Sequence, residues 1–359
     1  MSDQDPPAEV QATLEQLSDH YGDFEPNFRG ANGYLYFARN RITGAAIAIK
    51  FYAGAPGDAR HDEPRQLSAI RSANVLSILD AKDVSAEWAY FITPRCFEGD
   101  LDDLIATAPS AHIAIDTALG ICNGVSAIHS LRMLHRDLKP GNIVMQAGSP
   151  QIADFGSVRA LSNGASEVSA SQHSILFRPP ESFATGQYGF AGDIYQIGLV
   201  TYQLLGGALP YDGENYLSSK ERRHYDGLGG WADKCIFVND VIRSRAETGK
   251  LLDYNSLPPW VNGAAKRVLR TLTNIDPMQR PGTVAEVAAL LTQMRAAVSN
   301  WQWEGEIAVY RAPGRVVEVR PLDEEGGLYQ AYLSKDGGAF RRQPGLASAP
   351  LKQLVANIT

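Results

Sequence analysis

The stretch HRDLKPGN, residues 135–142, gathers cations, a carboxylate and an amide between two apolar runs. Phosphoryl transfer needs an acceptor hydroxyl held in line with the phosphorus and cations beside the phosphoryl oxygens. Asp137 can accept the hydroxyl proton or orient the hydroxyl, and Lys139 can reach the same phosphate. Asn142 offers a neutral oxygen to Mg²⁺, which takes oxygen ligands, and Asp154 adds a carboxylate twelve residues later. These spacings favour metal-assisted phosphoryl transfer.

This stretch, followed by the triplet DFG at Asp154–Gly156, resembles the catalytic and metal-binding motifs of eukaryotic-type protein kinases. A lone aspartate in a loop is usually a capped turn, but seven of eight positions match the family here, which favours catalysis. The resemblance implies that Asp137 and Lys139 are catalytic and that Asn142 and Asp154 bind the metal. The implied cofactors are ATP and Mg²⁺, with Mn²⁺ as an alternative metal.

Two upstream residues extend the resemblance to the nucleotide. The run AIAIK ends in Lys50, which resembles the strand lysine that holds the α- and β-phosphates in this family. Such a lysine alone is usually a solvated charge at a strand end, but Glu63 opens a helical pattern typical of its family partner. Pairing with Glu63 would fix the direction of Lys50. Pro64 requires that Glu63 lie in or before the first helical turn.

The glycine-rich loop that covers the phosphates in the family falls, by register, on Phe28, Gly30 and Gly33. Phe28 replaces the first glycine of the family pattern. Gly30 and Gly33 remain, and backbone N–H groups near Gly30 can still approach a phosphate. The substitution is expected to alter nucleotide affinity without removing the resemblance.

The same register predicts where adenine binds. Thr93 takes the gatekeeper position, and residues 94–96 form the hinge between the lobes. Pro94 lacks an N–H group but keeps its carbonyl, and Cys96 keeps its N–H, so adenine can still be recognised. The apolar residues expected around the purine, which would serve equally well as core, are Leu35, Ala48 and Val144.

Residues in the second half resemble structural anchors of the family. RPPES supplies Glu181, and DPMQRP supplies Arg280, its expected buried partner. Substitution of either residue would leave the other as an uncompensated buried charge. Asp193 in GDIYQIG is expected to anchor the catalytic loop, and Phe155 is the central residue of DFG. Lys139 within DLKPGN is typical of serine/threonine kinases. Together the anchors argue against a small-molecule kinase.

The segment 157–176 is rich in serine and small residues, which predicts a mobile loop. Arg136 and Arg159 are expected to lie beside it as unpaired cations that repel each other. A phosphate carries about two negative charges and could bridge both guanidinium groups, which would order the loop. The alternative is a flexible linker whose arginines pair with carboxylates. The serines proposed for phosphorylation are Ser169, Ser171 and Ser174, the last at the family's substrate-site position.

These residues require a two-lobed scaffold of class α+β, the protein kinase fold. Strand-like runs dominate the first part of the chain, and helical patterns dominate from Leu101 onward. The tail adds a small β-meander with a terminal helix. The expected divisions are an extension with a short amphipathic helix at 1–25, the kinase domain at 26–299 with an N-lobe at about 26–96 and a C-lobe at about 97–299, an irregular insertion at about 212–235, and the accessory module at 300–359.

The composition is that of an ordinary globular protein, with 44% apolar and 20% charged residues. A net charge of −7 argues against nucleic acid as a partner, and no apolar run is expected to span a membrane. Three scattered cysteines favour a reducing compartment. The acidic start MSDQDPPAEV does not resemble a signal peptide. The predicted location is cytoplasmic, while export by a route without such a signal stays open.

Two functional interpretations fit these residues. The first is an active serine/threonine kinase acting on protein substrates, with autophosphorylation in the serine-rich loop. The second is a nucleotide-binding, pseudokinase-like scaffold that acts by protein contact, which Phe28 and Pro64 favour. Transfer of phosphate from ATP to protein separates them. The segment 300–359 either braces the helical lobe through Trp301 and Trp303 or recruits a partner or substrate.

Overall fold

The computed structural model describes residues 5–27, 33–53, 61–170, 174–322, 327–343 and 345–358. Phe28, Gly30 and Ser171 lie outside the described residues. The described chain forms a small lobe on a β-sheet, a larger helical lobe, and a C-terminal antiparallel sheet with one helix. The predicted α+β class, with two lobes and a C-terminal β-meander, is confirmed.

The strands of the small lobe are β1 (Tyr21–Asn27), β2 (Tyr34–Asn40), β3 (Ala46–Ala53), β4 (Asp80–Asp83) and β5 (Trp88–Pro94). They form one antiparallel sheet in the order β1-β2-β3-β5-β4. Helix α1 (Ala8–Leu17) buries Val10 and Leu17 in the core of this sheet. Because β1 pairs with β2 from Tyr21 onward, the sheet begins before the boundary expected at residue 26.

Helix α2 (Asp62–Ala69) connects the small lobe to the segment that follows Asp154. It is eight residues long, buries Leu67, and contacts the 3-10 helix Phe155–Ser157 that follows Asp154. Beyond α2 the chain forms an isolated parallel bridge between Val75 and Ile152. These contacts hold α2 and the chain that follows it against the large lobe.

The helices of the large lobe are α3 (Leu101–Ala106), α4 (Ala111–Ser130), α5 (Pro180–Thr185), α6 (Phe190–Leu204), α7 (Ser219–Asp226), α8 (Trp231–Glu247), α9 (Gly263–Leu272) and α10 (Val284–Ala297). Contrary to expectation, α4 is long and apolar enough to cross a membrane by length and composition alone. It packs against α6 and α10, and ten of its residues are buried. A helix enclosed in a protein core is apolar on most sides because most of its sides are buried against other elements.

The short strands of the large lobe are β6 (Met133–Leu134), β7 (Ile143–Gln146), β8 (Ser149–Ile152), β9 (Arg159–Ala160), β10 (Glu167–Ser169) and β11 (Gln187–Gly189). Strand β6 pairs with β9, β7 with β8, and β10 with β11. Two of these strands lie in the serine-rich segment, which the sequence predicts as a loop. Backbone pairing therefore ties this segment to the chain just before residues 135–142 and just before α6.

Irregular structure was expected at residues 212–235. This expectation is wrong, because the region contains α7 and the start of α8. Helix α7 begins with a capping box, in which Ser218 Oγ accepts the N–H of Glu221 and the Glu221 carboxylate accepts the N–H of Ser218. Such a box satisfies backbone donors at a helix start. The charged run KERRHYD, residues 220–226, consequently forms most of this helix.

The C-terminal sheet contains β12 (Trp301–Glu304), β13 (Ile307–Ala312), β14 (Arg315–Pro321), β15 (Tyr329–Lys335) and β16 (Arg341–Arg342) in chain order, followed by α11 (Leu351–Ile358). Trp301 is fully buried and stacks on Trp260 of the large lobe, with 5.9 Å between the ring centroids. Val317 and Val319 belong to the same core as the large lobe. The C-terminal sheet and the helical lobe thus share one apolar core.

Candidate active site

A cleft of about 440 Å³ lies between the two lobes. Of the residues predicted to bind ATP, those within the described chain all line it: Gly33, Leu35, Ala48, Lys50, Thr93, Pro94, Cys96 and Val144. Phe37, Leu67, Leu76 and Phe91 line it too, and the sequence does not reveal them because their types suit any core. At Gly33 the φ angle is +107°, and an added Cβ would lie 2.0 Å from the Phe51 carbonyl oxygen. This position therefore requires glycine.

Asp137, Lys139 and Asn142 form a hydrogen-bonded cluster in the catalytic loop (residues 135–142). Lys139 Nζ donates to Asp137 Oδ2 at 2.8 Å, and Asn142 Nδ2 donates to the same oxygen at 3.0 Å and to the Asp137 carbonyl at 2.7 Å. Asp137 and Asn142 are buried, while the Lys139 side chain is 30% exposed. The cluster thus holds one oriented carboxylate beside an accessible cation.

The backbone of the catalytic loop is held by Asp193 of α6. Its carboxylate accepts the N–H groups of His135 and Arg136 at 2.9 Å each, and it contacts Tyr188 Oη and His129 Nε2 at 2.8 Å each. Burial acts to raise the pKa of Asp193, but the hydrogen bond and charge of His129, with the N–H of Arg136, hold it below the ordinary value. An ionised, fully buried carboxylate therefore anchors the loop.

Two residues beside this cluster adopt left-handed backbone angles, with φ of 69° at Arg136 and 56° at Asp154. Residues with side chains rarely occupy this region, and such strain persists where surrounding contacts enforce it. The N–H of Arg136 is held by Asp193, and Asp154 Oδ1 accepts the N–H of Gly156 at 3.4 Å. Both predicted motifs therefore carry an enforced backbone geometry.

Lys50 and Glu63 form an ion pair, with 2.7 Å between Lys50 Nζ and Glu63 Oε1. Lys50 Nζ also lies 3.9 Å from Asp154 Oδ1. Glu63 is the second residue of α2, so Pro64 falls in the first turn, where backbone N–H groups have no intrahelical partner to lose. The side chains of Lys50 and Glu63 are 22% and 14% exposed. The pair directs the ammonium toward the aspartate of DFG.

His135 and Phe155 form a buried aromatic pair between the two motifs. Their ring centroids are 5.4 Å apart in a T-shaped arrangement, and His135 Nε2 lies 3.3 Å from the carbonyl oxygen of Ala153. Burial lowers the pKa of His135 below 6.5 against the pull of Asp193, Asp137 and Asp154. The imidazole is therefore neutral near pH 7.

The predicted substrate segment, residues 174–181, begins at Ser174 and ends at Glu181. Ser174 lines a small cavity beside Arg136, Tyr188 and Gln196. Glu181 accepts two hydrogen bonds from the Arg280 guanidinium, at 2.8 and 2.7 Å, and Arg280 is buried. A bidentate pair of this kind fixes orientation as well as distance, so the end of the segment is held rigidly.

The arginines beside the serine-rich segment are not unpaired, so the expectation of two free cations is wrong, although the charge of Arg159 does act against that of Arg136. Arg136 Nε donates to the carbonyl of Ser157 at 2.7 Å, and its Nη1 donates to the carbonyl of Ser169. Arg159 Nη1 donates to the carbonyl of Val158 at 2.6 Å. Burial, and then the charge of Arg159, lowers the pKa of Arg136. Backbone carbonyls satisfy both guanidinium groups, and the Ser169 side chain is exposed.

The hinge is tied to the small lobe by the N–H of Arg95, which donates to the carbonyl of Ala46 at 3.1 Å. Thr93 is buried, and its hydroxyl donates to the Pro94 carbonyl at 3.3 Å. Burial raises the pKa of Cys96 to about 11, so this thiol is neutral at pH 7. The hinge therefore presents uncharged groups to the cleft.

The donor chemistry of the cleft fits Mg²⁺. The Asn142 amide uses Nδ2 for both of its hydrogen bonds to Asp137, which leaves Oδ1 for a cation. Asp154 lines the same cleft, and its carboxylate is 39% exposed. One or two protein oxygens completed by phosphate and water are what Mg²⁺ usually takes. Within the described ranges, no group of three or more His, Cys, Asp or Glu side chains could hold a metal ion.

The sequence pattern of the protein kinase domain matches residues 29–292 of the chain, which is more than half of its 359 residues. The chain therefore belongs to the protein kinase family. Its domain is that of a protein serine/threonine kinase, a phosphotransferase class that uses ATP and a divalent metal. The matched range ends before the C-terminal sheet begins.

Three fungal relatives are similar to this chain. Mitogen-activated protein kinase HOG1 of Blumeria graminis is 28% identical over 279 residues, which cover 76% of this chain and 74% of that protein. The HOG1B kinase of Wallemia ichthyophaga is 29% identical over 219 residues, covering 59% and 58%. The Hog1 kinase of Zymoseptoria tritici is 27% identical, covering 59% and 60%. The chain thus spans less than two thirds of the last two relatives.

Proposed function

We propose that this protein transfers the γ-phosphate of ATP to serine and threonine hydroxyls of protein substrates, with Mg²⁺ or Mn²⁺ as the metal. The observation that carries the proposal is that Lys139 and Asn142, both hydrogen-bonded to Asp137, line one cleft together with the Lys50–Glu63 pair and Asp154. Phosphoryl transfer demands little covalent chemistry of the protein, so catalysis comes mainly from positioning and from charge stabilisation.

Each polar residue takes a separate task in this proposal. Asp137 orients the acceptor hydroxyl and accepts its proton, and the exposed ammonium of Lys139 neutralises charge on the transferred phosphoryl group. Lys50, directed by Glu63, holds the α- and β-phosphates. When bound, the metal neutralises charge on the phosphate oxygens, and Asn142 with Asp154 would hold it.

Adenine would bind at the hinge end of the cleft. The Pro94 carbonyl would accept a hydrogen bond and the Cys96 N–H would donate one. Leu35, Ala48 and Val144 line the cleft and would contact the two faces of the purine. Burial of this flat apolar surface provides affinity that does not depend on the phosphates.

The proposal is tested by incubating the purified protein with ATP, Mg²⁺ and dephosphorylated casein and mapping phosphosites by mass spectrometry. We expect phosphoserine and phosphothreonine on casein. Asp137→Ala and Asp154→Ala should both abolish transfer, but Asp137→Ala should keep its affinity for Mg·ATP while Asp154→Ala loses metal-dependent nucleotide binding. Equal loss of affinity in both variants would contradict these roles. Nucleotide binding without transfer by the parent protein would favour the scaffold alternative.

The serine-rich segment is the proposed place of autophosphorylation, at Ser169, Ser171 or Ser174. The support is the exposed Ser169 side chain beside a carbonyl that already binds Arg136. A phosphate there would compete with that carbonyl for the guanidinium, because charge-assisted hydrogen bonds are the stronger ones. Replacing Ser169 and Ser171 by alanine together should lower casein phosphorylation; full activity in the double variant would rule the switch out.

The C-terminal module is proposed to brace the large lobe rather than to recruit substrate. The support is Trp301, buried against Trp260 at the joint between the module and the helices. Deleting residues 300–359 should lower the melting temperature and the solubility of the remainder, since apolar surface becomes exposed. Unchanged melting with selective loss of activity on the protein's own target would favour recruitment.

The proposed location is the cytoplasm. All three cysteines, Cys96, Cys122 and Cys235, are free thiols in the structure, as is usual in a reducing compartment. Imaging of a tagged full-length protein in its own cell tests this proposal, and localisation outside the cytoplasm would contradict it.

A further inference from the structure

Gln196 is a buried polar residue of α6 to which the sequence motifs give no role. It is 2% exposed and lies three residues after Asp193, so both side chains project from the same side of the helix. Asp193 anchors the N–H groups of His135 and Arg136. Gln196 therefore places a neutral amide next to the carboxylate that holds the catalytic loop.

The Gln196 amide contacts two functional segments at once. Its Oε1 accepts the N–H of Leu138 at 2.8 Å. Its Nε2 donates to the carbonyl of Arg136 at 3.3 Å and to the carbonyl of Phe177 at 3.1 Å. Leu138 and Arg136 flank Asp137, and Phe177 lies in the substrate segment. One side chain thus connects both neighbours of the catalytic aspartate to that segment.

The chemistry of these partners explains why an amide stands here. A backbone N–H can only donate and a carbonyl can only accept, so the partners fix which end of the Gln196 amide faces which segment. A carboxylate of the same shape could serve Leu138 but would offer no donor to the carbonyls of Arg136 and Phe177. Buried polar groups left without a partner are costly.

Tyr188 supports this arrangement from the other side. Its hydroxyl lies 3.0 Å from Gln196 Oε1 and 2.8 Å from Asp193 Oδ1. An added Cβ at Gly192 would lie 2.5 Å from the Tyr188 ring, so the absence of a side chain there lets the ring pack against α6. Burial raises the pKa of Tyr188 well above its ordinary value, which keeps the hydroxyl a donor. Gln196 is consequently held in one orientation.

We propose that Gln196 is a positioning residue that couples the backbone around Asp137 to the substrate segment. This inference rests on the proposed kinase activity and assigns a residue that controls how the protein substrate meets the catalytic aspartate. Gln196 does not line the nucleotide cleft. Its loss should therefore impair the use of a protein substrate while leaving the use of ATP unchanged.

The test compares the full-length parent with Gln196→Glu and Gln196→Met, using dephosphorylated casein as acceptor. Gln196→Glu keeps the acceptor for Leu138 but replaces the amide donor by a carboxyl group beside Asp193, while Gln196→Met removes both the acceptor and the donor. For each variant kcat, the KM for casein, the KM for ATP and the melting temperature are measured, with active protein counted by Mg·ATP binding. We expect kcat/KM for casein to fall about tenfold or more in both, with the KM for ATP within about twofold of the parent.

Gln203→Met is the matched control. Gln203 lies seven residues later on α6, is 6% exposed, and contacts Tyr211 rather than the catalytic loop. We expect this variant to melt at a lower temperature with unchanged kinetic constants per active molecule, as a purely structural residue would.

Several outcomes overturn the inference. Casein kinetics of Gln196→Met within about twofold of the parent would do so, because that variant removes both the acceptor and the donor of the amide. So would unfolding of both Gln196 variants, or an equal rise in the KM for ATP, since either marks a general structural role. A parent protein that binds Mg·ATP but transfers no phosphate would instead overturn the proposed function itself, and this inference with it.

Discussion

The proposed acceptor side of the cleft, around Asp137, and its proposed nucleotide side, around Lys50, differ in how they are held. The loop that carries Asp137 is bound by groups of α6, including Asp193, which is fully buried. Lys50 is directed by Glu63 through an ion pair that water reaches. Hydrogen bonds to a buried charge are strong, whereas water that reaches a partly exposed ion pair screens its charges and lowers its net contribution to stability.

The helices that support the two sides, α6 and α2, differ in the same way, because α6 is much more deeply buried. Helix α6 has 13 buried residues among its 15, so its side chains cannot shift without disturbing the core. Helix α2 has eight residues and buries Pro64 and Leu67. Acceptor geometry is therefore built into the core of the large lobe. The geometry of Lys50 can respond to ionic strength and to whatever contacts α2.

The largest effect should come from Asp193→Asn, which breaks the acceptor side. The amide would present its own N–H group to donors, and the backbone N–H groups of His135 and Arg136 would lose their charged acceptor. We expect the free energy of unfolding to fall by roughly 3 kcal/mol and casein phosphorylation to fall at least about 100-fold. Chemical denaturation and steady-state kinetics measure the two losses. A variant as stable as the parent would show that the buried network does not hold the loop.

How far this comparison could be predicted from the sequence depends on the kind of contact. That Asp137 and Asp154 lie in segments that meet near one cleft could be predicted, because the proposed phosphoryl transfer restricts both residue type and spacing. The carbonyl partners of Arg136 could not, because they depend on the path of a backbone whose φ is left-handed. Gln196 gave no signal, because its partners come from segments distant in the chain. The helix at 219–226 was missed because its capping box lies in a polar run without apolar periodicity.

A smaller and more selective effect is expected from Glu63→Gln on the nucleotide side. The amide keeps the shape of Glu63 but loses the charge that directs Lys50. We expect kcat/KM for ATP to fall roughly 100-fold, as for a displacement of about 1 Å at a reacting group, while the free energy of unfolding changes by less than about 1 kcal/mol. Kinetics with varied ATP and chemical denaturation test both statements.

Ionic strength supplies the control for that variant. Salt screens partly exposed charges, with a Debye length of about 10 Å at 0.1 M and about 3 Å at 1 M. The KM for ATP of the parent should therefore rise more steeply with added salt than that of Glu63→Gln. Parallel salt curves would contradict the view that the Lys50–Glu63 pair is the adjustable part of the site, and would make the two sides alike.

The smallest effect should appear as a change in pH dependence on removal of His135 from the acceptor side. Burial lowers its pKa in the folded protein below 6.5, so between pH 7 and 5 the unfolded chain binds more protons than the folded one. Its contribution to stability is thus complete above about pH 6.5 and is lost as the pH falls, by at most about 1.4 kcal/mol per pH unit. Asp193, whose pKa is lowered from 3.8, loses its contribution only in more acidic solution.

His135→Phe keeps the ring against Phe155 and should flatten the fall in the free energy of unfolding between pH 7 and 5 by about 1 kcal/mol. Denaturation curves at several pH values measure the slope, with His20→Phe as an exposed control. If His135→Phe and the parent lose stability equally over this range, the acceptor side is open to water and protons, and its contrast with the nucleotide side disappears.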